Sequence, residues 1–346
     1  MNRVPPFQKY ANMGMGMLLP LYPLIFVPVY KDYIWGGDRI IRRYHRPAPP
    51  GIYAESWEVS DRPQEMSLVA NGSLAGRSLH DLVRDYGKEL VGTLSPADRF
   101  PLLMKILDAR DHLSIQVHPD DVSAKVVGGE PKTEMWYVLD ADPGAVVYAG
   151  VKHGLKAGKF RQAIQDGNVP DLLTSIPVFP GDVINIPGGR IHSVGAGCLL
   201  LEVQQNSDTT FRVFDWNRTD YDGKPRELHI DQAMQVIRWN DIEQARRPAP
   251  ACLLTDAPAD GIVCERFVSP YFLMNQMVVT GPRSCSTAGQ SFHILFIEAG
   301  AIKVKGNHAI VTAEAGMTLL VPAAVGVYEV REQGGAPARV VQISLP

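Results

Sequence analysis

The sequence has few cysteines and no disulfide pattern. Its four cysteines, Cys198, Cys252, Cys264 and Cys285, form neither a CxxC pair nor a regular disulfide spacing. Thiols placed in this way are typical of buried or incidental cysteines, and they do not indicate a disulfide framework or a thiolate metal site. We therefore expect a protein of a reducing compartment, the cytoplasm.

Long apolar runs and a strong net charge are also missing. The apolar stretch 13–29 is interrupted by Pro20, Pro23 and Pro28, and it is shorter than the roughly 20 residues that span a bilayer. The opening residues carry few positive charges and no clear cleavage site, so we expect no signal peptide. The net charge of -3 lacks the clustered basic excess of nucleic-acid binders. We expect neither a membrane nor a nucleic acid as a partner.

Glycine and proline, by contrast, are frequent: 31 and 27 residues respectively, scattered along the chain. This distribution suits many short strands joined by tight turns. Apolar spacing predicts helices over 156–166, 229–237 and 78–94, the last with Ser78 as its N-cap. Strand-like runs occupy 52–59, 112–117, 135–139, 146–148, 182–186, 199–204 and 210–214. The chain is predicted to be mainly β with helical insertions.

The length of 346 residues suits two domains, and the segment 246–251 breaks the preceding pattern. We expect a flexible N-terminal tail over 1–21 and a first domain over 22–245, with helical insertions at about 78–94 and 156–166. A second, all-β domain is expected over 252–346.

An internal repeat links the two predicted domains. The segment 180–194, PGDVINIPGGRIHSV, aligns with 315–330, AGMTLLVPAAVGVYEV. Gly181 then meets Gly316, and Pro187 meets Pro322, in a pattern of turn, inward strand and proline-ended loop that is found in double-stranded β-helix barrels. In the same alignment His192 falls opposite Val327, so the second copy is expected to lack this potential ligand.

Polar residues alternate along two of the predicted strands. Ser114, Gln116 and His118 share one face of the first strand, because alternate residues of a strand point to the same side. Lys132 and Glu134 share a face at the start of the next. Two readings are open for the first strand: it lines a polar pocket, or its polar face is simply in water.

A third segment adds another histidine. His192 follows a glycine-rich loop, Glu202 lies on the next strand, and Arg212 lies on the strand after that. Two histidines and a carboxylate, completed by an amide oxygen or water, would suit zinc or another divalent metal. The spacing of His118, Glu134 and His192 is not a compact motif, so residue type carries this prediction.

The segments SIQVHPDD, PKTEMWYVL, IPGGRIHSV and LEVQQNSDTTFRVFDW resemble, in order, the signature segments of type I phosphomannose isomerases in their shorter bacterial form. PVYKDYIWGG (28–37) and AESWEVSD (54–61) resemble the opening segments of that family. The resemblance covers about 24–239 and extends more loosely to the C-terminus. It implies membership of the cupin superfamily, with a jelly-roll catalytic domain and a second, metal-free cupin-like β domain. The large helical domain of longer eukaryotic relatives and the guanylyltransferase domain of bifunctional relatives are both missing.

The same resemblance implies a reaction and a set of site residues. The reaction is the reversible isomerisation of mannose 6-phosphate and fructose 6-phosphate through a metal-stabilised enediolate. Arg212 would act in catalysis, Lys132 would reach the substrate, and Glu202 would be an acidic residue of the pocket. Ser114 and Lys105 would lie near the bound sugar phosphate. One Zn²⁺ per chain, or another divalent metal, would be held by Gln116, His118, Glu134 and His192.

Several alternatives stay open at this point. Either Lys132 or Glu202 could be the proton-transfer base. Lys105, Ser114 and Arg190 are candidates for phosphate binding. The protein could instead be a related cupin isomerase that acts on another sugar or sugar phosphate, such as glucose 6-phosphate, or a non-catalytic cupin that binds sugar or metal. The oligomeric state is either monomer or homodimer.

Four further polar and aromatic residues are expected to be structural. We interpret Trp35 and Trp57 as core or rim aromatics, and Asn206 and Asp208 as turn-forming residues.

Overall fold

The computed structural model describes residues 18–96, 98–250 and 263–346. The predicted tail lies outside these residues except for 18–21, of which Leu21 is buried. The predicted break at 246–251 begins with a short strand, Arg246–Arg247, that pairs with Val183 and Ile184. Residue 251, the last of that segment, falls outside the described part of the chain.

The first half of the chain folds into a β-sandwich of two antiparallel sheets. A seven-stranded sheet has the order β14-β10-β7-β12-β5-β3-β2, and a five-stranded sheet has the order β13-β6-β11-β8-β9. Apolar side chains of both sheets meet in one buried cluster. The strands of this part of the chain, of which all but β1 and β4 belong to these two sheets, are β1 Leu24–Val27, β2 Val29–Lys31, β3 Glu55–Val59, β4 Leu68–Val69, β5 Leu102–Ala109, β6 Ile115–Val117, β7 Glu134–Ala141, β8 Val146–Val151, β9 Leu173–Pro177, β10 Val183–Ile186, β11 His192–Val194, β12 Cys198–Gln205, β13 Phe211–Phe214 and β14 Arg246–Arg247.

The remaining strands form a second β-sandwich. Its larger sheet has the order β15-β16-β23-β18-β21-β1-β4, so two strands of the N-terminal part complete it, and its smaller sheet has the order β17-β22-β19-β20. The strands are β15 Val263–Val268, β16 Leu273–Val279, β17 Arg283–Ser286, β18 His293–Ala299, β19 Ala301–Gly306, β20 Ala309–Glu314, β21 Thr318–Val321, β22 Val327–Glu332 and β23 Ala338–Ser344.

The two sandwiches repeat one strand topology. Strand β12 lies between β5 and β7, and β23 lies in the same way between β16 and β18. Gly181 and Gly316 both adopt positive φ, 87° and 82°, at the turns that precede β10 and β21. His192 begins β11 and Val327 begins β22, as the internal repeat predicts. The mainly β, cupin-type double-stranded β-helix is confirmed.

Helices occupy the connections between strands, and no described helix is long and apolar enough to cross a membrane. Ser78 caps α2 as predicted, since its Oγ accepts a hydrogen bond from the Asp81 N–H at 3.1 Å. The predicted helix 78–94 is divided at Gly87, whose φ of +50° interrupts it. The helices are α1 Arg39–Tyr44, α2 Leu79–Tyr86, α3 Lys88–Val91, α4 Ala124–Val127, α5 Ala157–Asp166 and α6 Ile230–Val236, with 3-10 turns at Gly72–Leu74, Val169–Leu172 and Ala323–Val325.

Each of the seven predicted strand runs contains a strand, but the periodicity misses two that matter. Strand β5 is buried at all eight of its positions, so it lacks the alternation that marks a half-exposed strand. Strand β1 pairs with β21, with Leu24 opposite Leu320. This pairing joins residues more than 290 positions apart, which local periodicity does not report.

A buried ion pair also connects the two sandwiches. Arg46 Nη1 lies 2.8 Å from Glu58 Oε1, and the Arg46 guanidinium also donates to the Gly316 carbonyl. Thr318 Oγ1 donates to the other Glu58 oxygen at 3.1 Å. The Arg46 and Glu58 side chains are only 10% and 3% exposed, so removing one partner leaves the other charge buried without compensation.

The substitution Arg46→Met is expected to lower the free energy of unfolding by about 3–5 kcal/mol, because it strands the Glu58 carboxylate. The exposed pair of Arg161 and Asp231 provides a matched control, and Arg161→Met is expected to cost less than about 1 kcal/mol. Urea denaturation of both variants measures the difference. Equal losses in the two variants would contradict this account of the contact.

Candidate active site

A cavity of about 310 Å³ opens in the first sandwich. It brings together residues that are far apart in the sequence, from β5 and β12 of the larger sheet and from β6 and β13 of the smaller one. Six residues expected from the sequence line it: Lys105, Ser114, Gln116, Lys132, Glu202 and Arg212. A polar pocket is therefore the correct reading of the alternating strand at 114–118.

Three buried side chains form a cluster that could hold a metal ion. His118, Glu134 and His192 each offer a ligand atom, and these atoms all lie within 4.8 Å of one another. His192 Nε2 is 3.3 Å from Glu134 Oε1, and His118 Nε2 is 3.5 Å from Glu134 Oε2. Glu134 begins β7 in the larger sheet, whereas His192 begins β11 in the smaller one. The cluster therefore lies between the two sheets.

The glycine-rich loop explains how His192 reaches His118. The Gly189 N–H donates to the His118 carbonyl at 2.8 Å. A Cβ on the preceding Gly188 would lie 2.7 Å from Asp120 Cα, closer than real Cβ contacts allow. Glycine at 188 therefore permits the loop to lie against the turn that follows His118.

Both imidazoles present Nε2 toward Glu134. His118 Nδ1 lies 2.8 Å from the Thr209 carbonyl, and His192 Nδ1 lies 2.8 Å from the Arg190 carbonyl. A carbonyl only accepts, so each Nδ1 carries the proton and each Nε2 keeps its lone pair. Burial lowers the pKa of His118 to about 3, and burial also lowers the pKa of His192. Neutral imidazole is the form that binds a metal.

The donor set fits a divalent cation. His118 Nε2 and both Glu134 carboxylate oxygens are buried without a hydrogen-bond partner. Lys132 Nζ is 2.9 Å from Glu134 Oε2, an ion pair that lacks hydrogen-bond geometry. Lone pairs left facing one another in a buried site are unfavourable unless a cation lies between them, and two nitrogens with a carboxylate are ligands that zinc and related metals accept.

Gln116 lies next to this cluster on β6. Its amide nitrogen is 3.4 Å from His192 Nε2, and its amide oxygen accepts from Ser114 Oγ at 3.3 Å. Rotation of the amide by 180° would direct the oxygen toward the cluster. Its role as the fourth ligand stays a prediction.

A second charged group forms the opposite wall of the cavity. Lys105 Nζ lies 3.6 Å from Glu55 Oε2 and 3.5 Å from Glu202 Oε1, and it is 4.6 Å from the centre of the Trp57 ring. Burial alone would lower the pKa of Lys105, but the two carboxylates outweigh it and raise that pKa. Lys105 is therefore a buried cation held between two carboxylates.

Glu202 differs electrostatically from the carboxylate of Glu134. Trp136 Nε1 donates to Glu202 Oε2 at 3.0 Å. Burial and then the neighbouring Glu134 charge raise the pKa of Glu202, while Lys132 and Lys105 oppose the shift. In Glu134 the effect of burial is overcome by Lys132 and His118, and the pKa is lowered well below its ordinary value.

The sequence interpretation misses several residues of the cavity. Trp35 and Trp57 are buried, as expected of core or rim aromatics, but they also line the cavity. Asp208, which was expected only to form a turn, lines it too. Glu55 also lines it, and its alternation with Trp57 in AESWEVSD is the signal that could have found it. The other lining residues that sequence reasoning missed are Tyr33, Leu107, Leu113, Thr210 and Arg226.

Arg190 does not serve the cavity. Its guanidinium is 1% exposed and lies 2.6 Å from Asp241 Oδ1, with Nε donating to the other oxygen at 2.6 Å. The expectation that Arg190 could bind phosphate is wrong, because a buried bidentate pair already occupies its donors. Asn206, by contrast, donates to the Phe100 carbonyl at 2.8 Å, a structural contact that lies outside the turn it was expected to form.

A double-stranded β-helix whose two sheets converge on two histidines and a glutamate defines a cupin with a potential metal site. The family comparison is more specific. Residues 24–150 match the family profile described as phosphomannose isomerase type I, catalytic domain. The chain belongs to the type I phosphomannose isomerase family.

Curated relatives match nearly the whole chain. The mannose-6-phosphate isomerase of Streptococcus mutans is 37% identical over 300 residues, covering 83% of this chain and 92% of the relative. The mannose-6-phosphate isomerase ManA of Bacillus subtilis is 33% identical over 309 residues, covering 89% and 95%. A crystal structure of the mannose 6-phosphate isomerase from Bacillus subtilis aligns with a TM-score of 0.82 at 29% identity, covering 93% of this chain and 99% of that one.

The substitution His192→Ala is expected to reduce bound metal from roughly one ion per chain to a small fraction, because it removes one of three buried donors. Elemental analysis after loading with zinc and desalting measures the content. His293→Gln is the matched control, since His293 begins β18 as Glu134 begins β7. Full retention of metal by His192→Ala, or its loss in the control, would contradict the assignment.

Proposed function

We propose that this chain interconverts mannose 6-phosphate and fructose 6-phosphate, with one zinc ion held by His118, Glu134, His192 and Gln116. The observation that carries the proposal is the similarity, over more than four-fifths of the chain, to curated mannose-6-phosphate isomerases. A cavity lined by both carboxylates and cations supports it. A charged sugar phosphate does not cross a bilayer unaided, so the proposed location is the cytoplasm.

The reaction requires removal of a proton bound to carbon. Transfer of that proton between C2 and C1 passes through an enediolate, in which negative charge develops on the sugar oxygens. A divalent cation in the site would supply Lewis-acid stabilisation of that charge. The chain's own residues must hold the open-chain sugar, move the proton and exclude water.

Glu202 is suited to the role of proton-transfer base. A base works best when its pKa lies near the working pH, and burial shifts the pKa of Glu202 upward in that direction. Lys132 is the alternative. It faces Glu134 at 2.9 Å as a cation, so it is better placed to donate a hydrogen bond to a sugar oxygen than to accept a proton.

Arg212 is suited to holding the sugar oxygens. It lies on β13 directly opposite Gln116, and its Nε is buried without a hydrogen-bond partner. A guanidinium cannot act as a base at ordinary pH, but it can stabilise developing negative charge. Ser114 in the same cavity would contact a hydroxyl, and Lys105 would fix the Glu55 and Glu202 carboxylates and contact the sugar.

A coupled assay of fructose 6-phosphate formation from mannose 6-phosphate is the direct test of the function. We expect turnover that a chelator abolishes and added Zn²⁺ restores. Glucose 6-phosphate, assayed in parallel, should turn over far more slowly. Faster turnover of glucose 6-phosphate would identify a different isomerase, and no turnover of either sugar by the zinc-loaded protein would indicate a non-catalytic cupin.

The substitution Glu202→Gln is expected to lower kcat on the order of 10²- to 10⁴-fold, the usual contribution of a positioned base. With mannose 6-phosphate deuterated at C2, the variant should also release label to solvent more slowly by the same factor, with its metal content unchanged. Lys132→Met is the comparison. If Lys132→Met abolishes the release of label and Glu202→Gln still releases it at the wild-type rate, Lys132 is the base instead.

A further inference from the structure

Two arginines line the cavity, and a third contacts the same carboxylate as one of them. Arg212 and Arg226 both line the cavity. Arg226 Nε donates to Asp215 Oδ2 at 2.8 Å, and its Nη2 donates to Asp215 Oδ1 at 2.6 Å. Arg218 Nη2 donates to the same Oδ1 at 3.0 Å. One largely buried carboxylate thus holds two guanidinium groups, and the group closer to the cavity is that of Arg226.

The bidentate contact orients Arg226 toward the cavity. Because Asp215 occupies Nε and Nη2, the Nη1 side of the planar guanidinium remains for a ligand. The N–H groups that remain, two on Nη1 and one on Nη2, still form a forked pair of donors that matches phosphate oxygens. Little side-chain entropy is then lost when a ligand binds.

The turn that carries Asp215 is conformationally strained. Trp216 and Asn217 both adopt positive φ, 56° and 53°, which is uncommon for residues other than glycine and particularly so for a bulky one. Trp216 Nε1 donates to the carbonyl of Leu113, a cavity-lining residue, at 2.7 Å. Strain of this kind persists where the surroundings hold it in place, often at ligand sites. The turn places Asp215 within hydrogen-bonding distance of Arg218 and Arg226.

Arg212 and Arg226 form a cationic pair with space for an anion. Arg212 Nη1 donates to the carbonyl of Glu227 at 3.0 Å, which keeps the neighbouring Arg226 close. Burial and then repulsion by Arg226 lower the pKa of Arg212. Two cations that repel each other in a cavity wall bind a dianion more favourably than either would alone.

The position suits the far end of a sugar phosphate. Arg212 on β13 lies opposite Gln116 on β6, which lies opposite His192 on β11. Two strand spacings of about 4.8 Å therefore separate the Arg212 backbone from that of His192. An open-chain hexose can reach across this distance with its carbonyl end at the metal-binding cluster.

Lys105 is less suited to phosphate than the sequence resemblance implies. It lies within 3.6 Å of Glu55 and 3.5 Å of Glu202. A dianion placed there would meet two carboxylates, whereas the one carboxylate bonded to Arg226, that of Asp215, accepts from Nε and Nη2 and leaves Nη1 for the ligand.

We propose that Arg226, held in position by its hydrogen bonds to Asp215, binds the phosphate group of the substrate and makes the cavity selective for phosphorylated sugars. The inference rests on the proposed function, because it identifies the phosphate subsite of that same cavity. Asp215 is a positioning residue in this arrangement, since it acts through Arg226.

The test compares Arg226→Gln with wild-type protein, both loaded with zinc. We expect KM for mannose 6-phosphate to rise on the order of 10- to 100-fold with a much smaller change in kcat, the scale of one lost charge-assisted hydrogen bond. Inorganic phosphate is the binding probe. Its affinity, measured by calorimetry and as a competitive inhibition constant, should fall by a similar factor.

Further variants separate a phosphate contact from a structural effect. Arg226→Lys should recover part of the affinity, and Asp215→Asn should lose an intermediate amount. Arg161→Gln, at an exposed position outside the cavity, should change neither constant. Lys105→Met should alter kcat more than it alters phosphate affinity.

Unchanged phosphate affinity in Arg226→Gln would overturn the inference, and so would a larger loss of phosphate affinity in Lys105→Met. Neither result would affect the proposed function as long as the wild-type protein isomerises mannose 6-phosphate. Equal losses of phosphate affinity in Arg226→Gln and Arg226→Lys, together with lowered thermal stability, would also overturn it by showing a structural role. Absence of wild-type turnover is the distinct result that would reject the function itself.

Discussion

The buried carboxylate of Glu134, facing two imidazole lone pairs, is the constraint on which the rest of the first sandwich depends. Glu134 comes from one sheet, and His192, with Gln116 beside it, comes from the other. Sheets of a sandwich pack about 10 Å apart, and inward-facing side chains of both sheets converge between them. The glycine loop before His192 and the turn after His118 produce that convergence. A cation at this point would be bound by ligand atoms of His118 and Glu134 that have no hydrogen-bond partner in the protein.

Charge alternation extends from this point across the larger sheet. Trp57, Lys105 and Glu202 are cross-strand neighbours on β3, β5 and β12. Each buried charge among them faces one of opposite sign, which is the condition under which ions are tolerated away from water. The neighbouring charges also give the Glu134 and Glu202 carboxylates different functions. The Lys132 charge lowers the pKa of Glu134 and keeps it ionised and suited to a metal, whereas burial raises the pKa of Glu202 and makes it a stronger base.

Local periodicity predicts the parts of this site that lie on regular strands. Ser114 and Gln116 point into the cavity, and Glu202 does too, because alternation on a strand determines the face. The periodicity misses strand β5 because it is buried on both sides. It misses Arg226 because the eleven residues 215–225 separate β13 from it. Arg190 was misassigned since its partner, Asp241, lies 51 positions away. Tertiary contacts of this kind carry no local signal.

The second sandwich repeats the topology with different residues at the corresponding positions. His293 occupies the position of Glu134 at the start of its strand, and Val327 occupies the position of His192. Anomalous diffraction at the zinc edge, from crystals of zinc-loaded protein, tests the account most directly. We expect one strong peak in the first sandwich, about 2.0–2.2 Å from His118 Nε2, His192 Nε2 and a Glu134 oxygen. No peak at that position, or an equal peak beside His293, would contradict it.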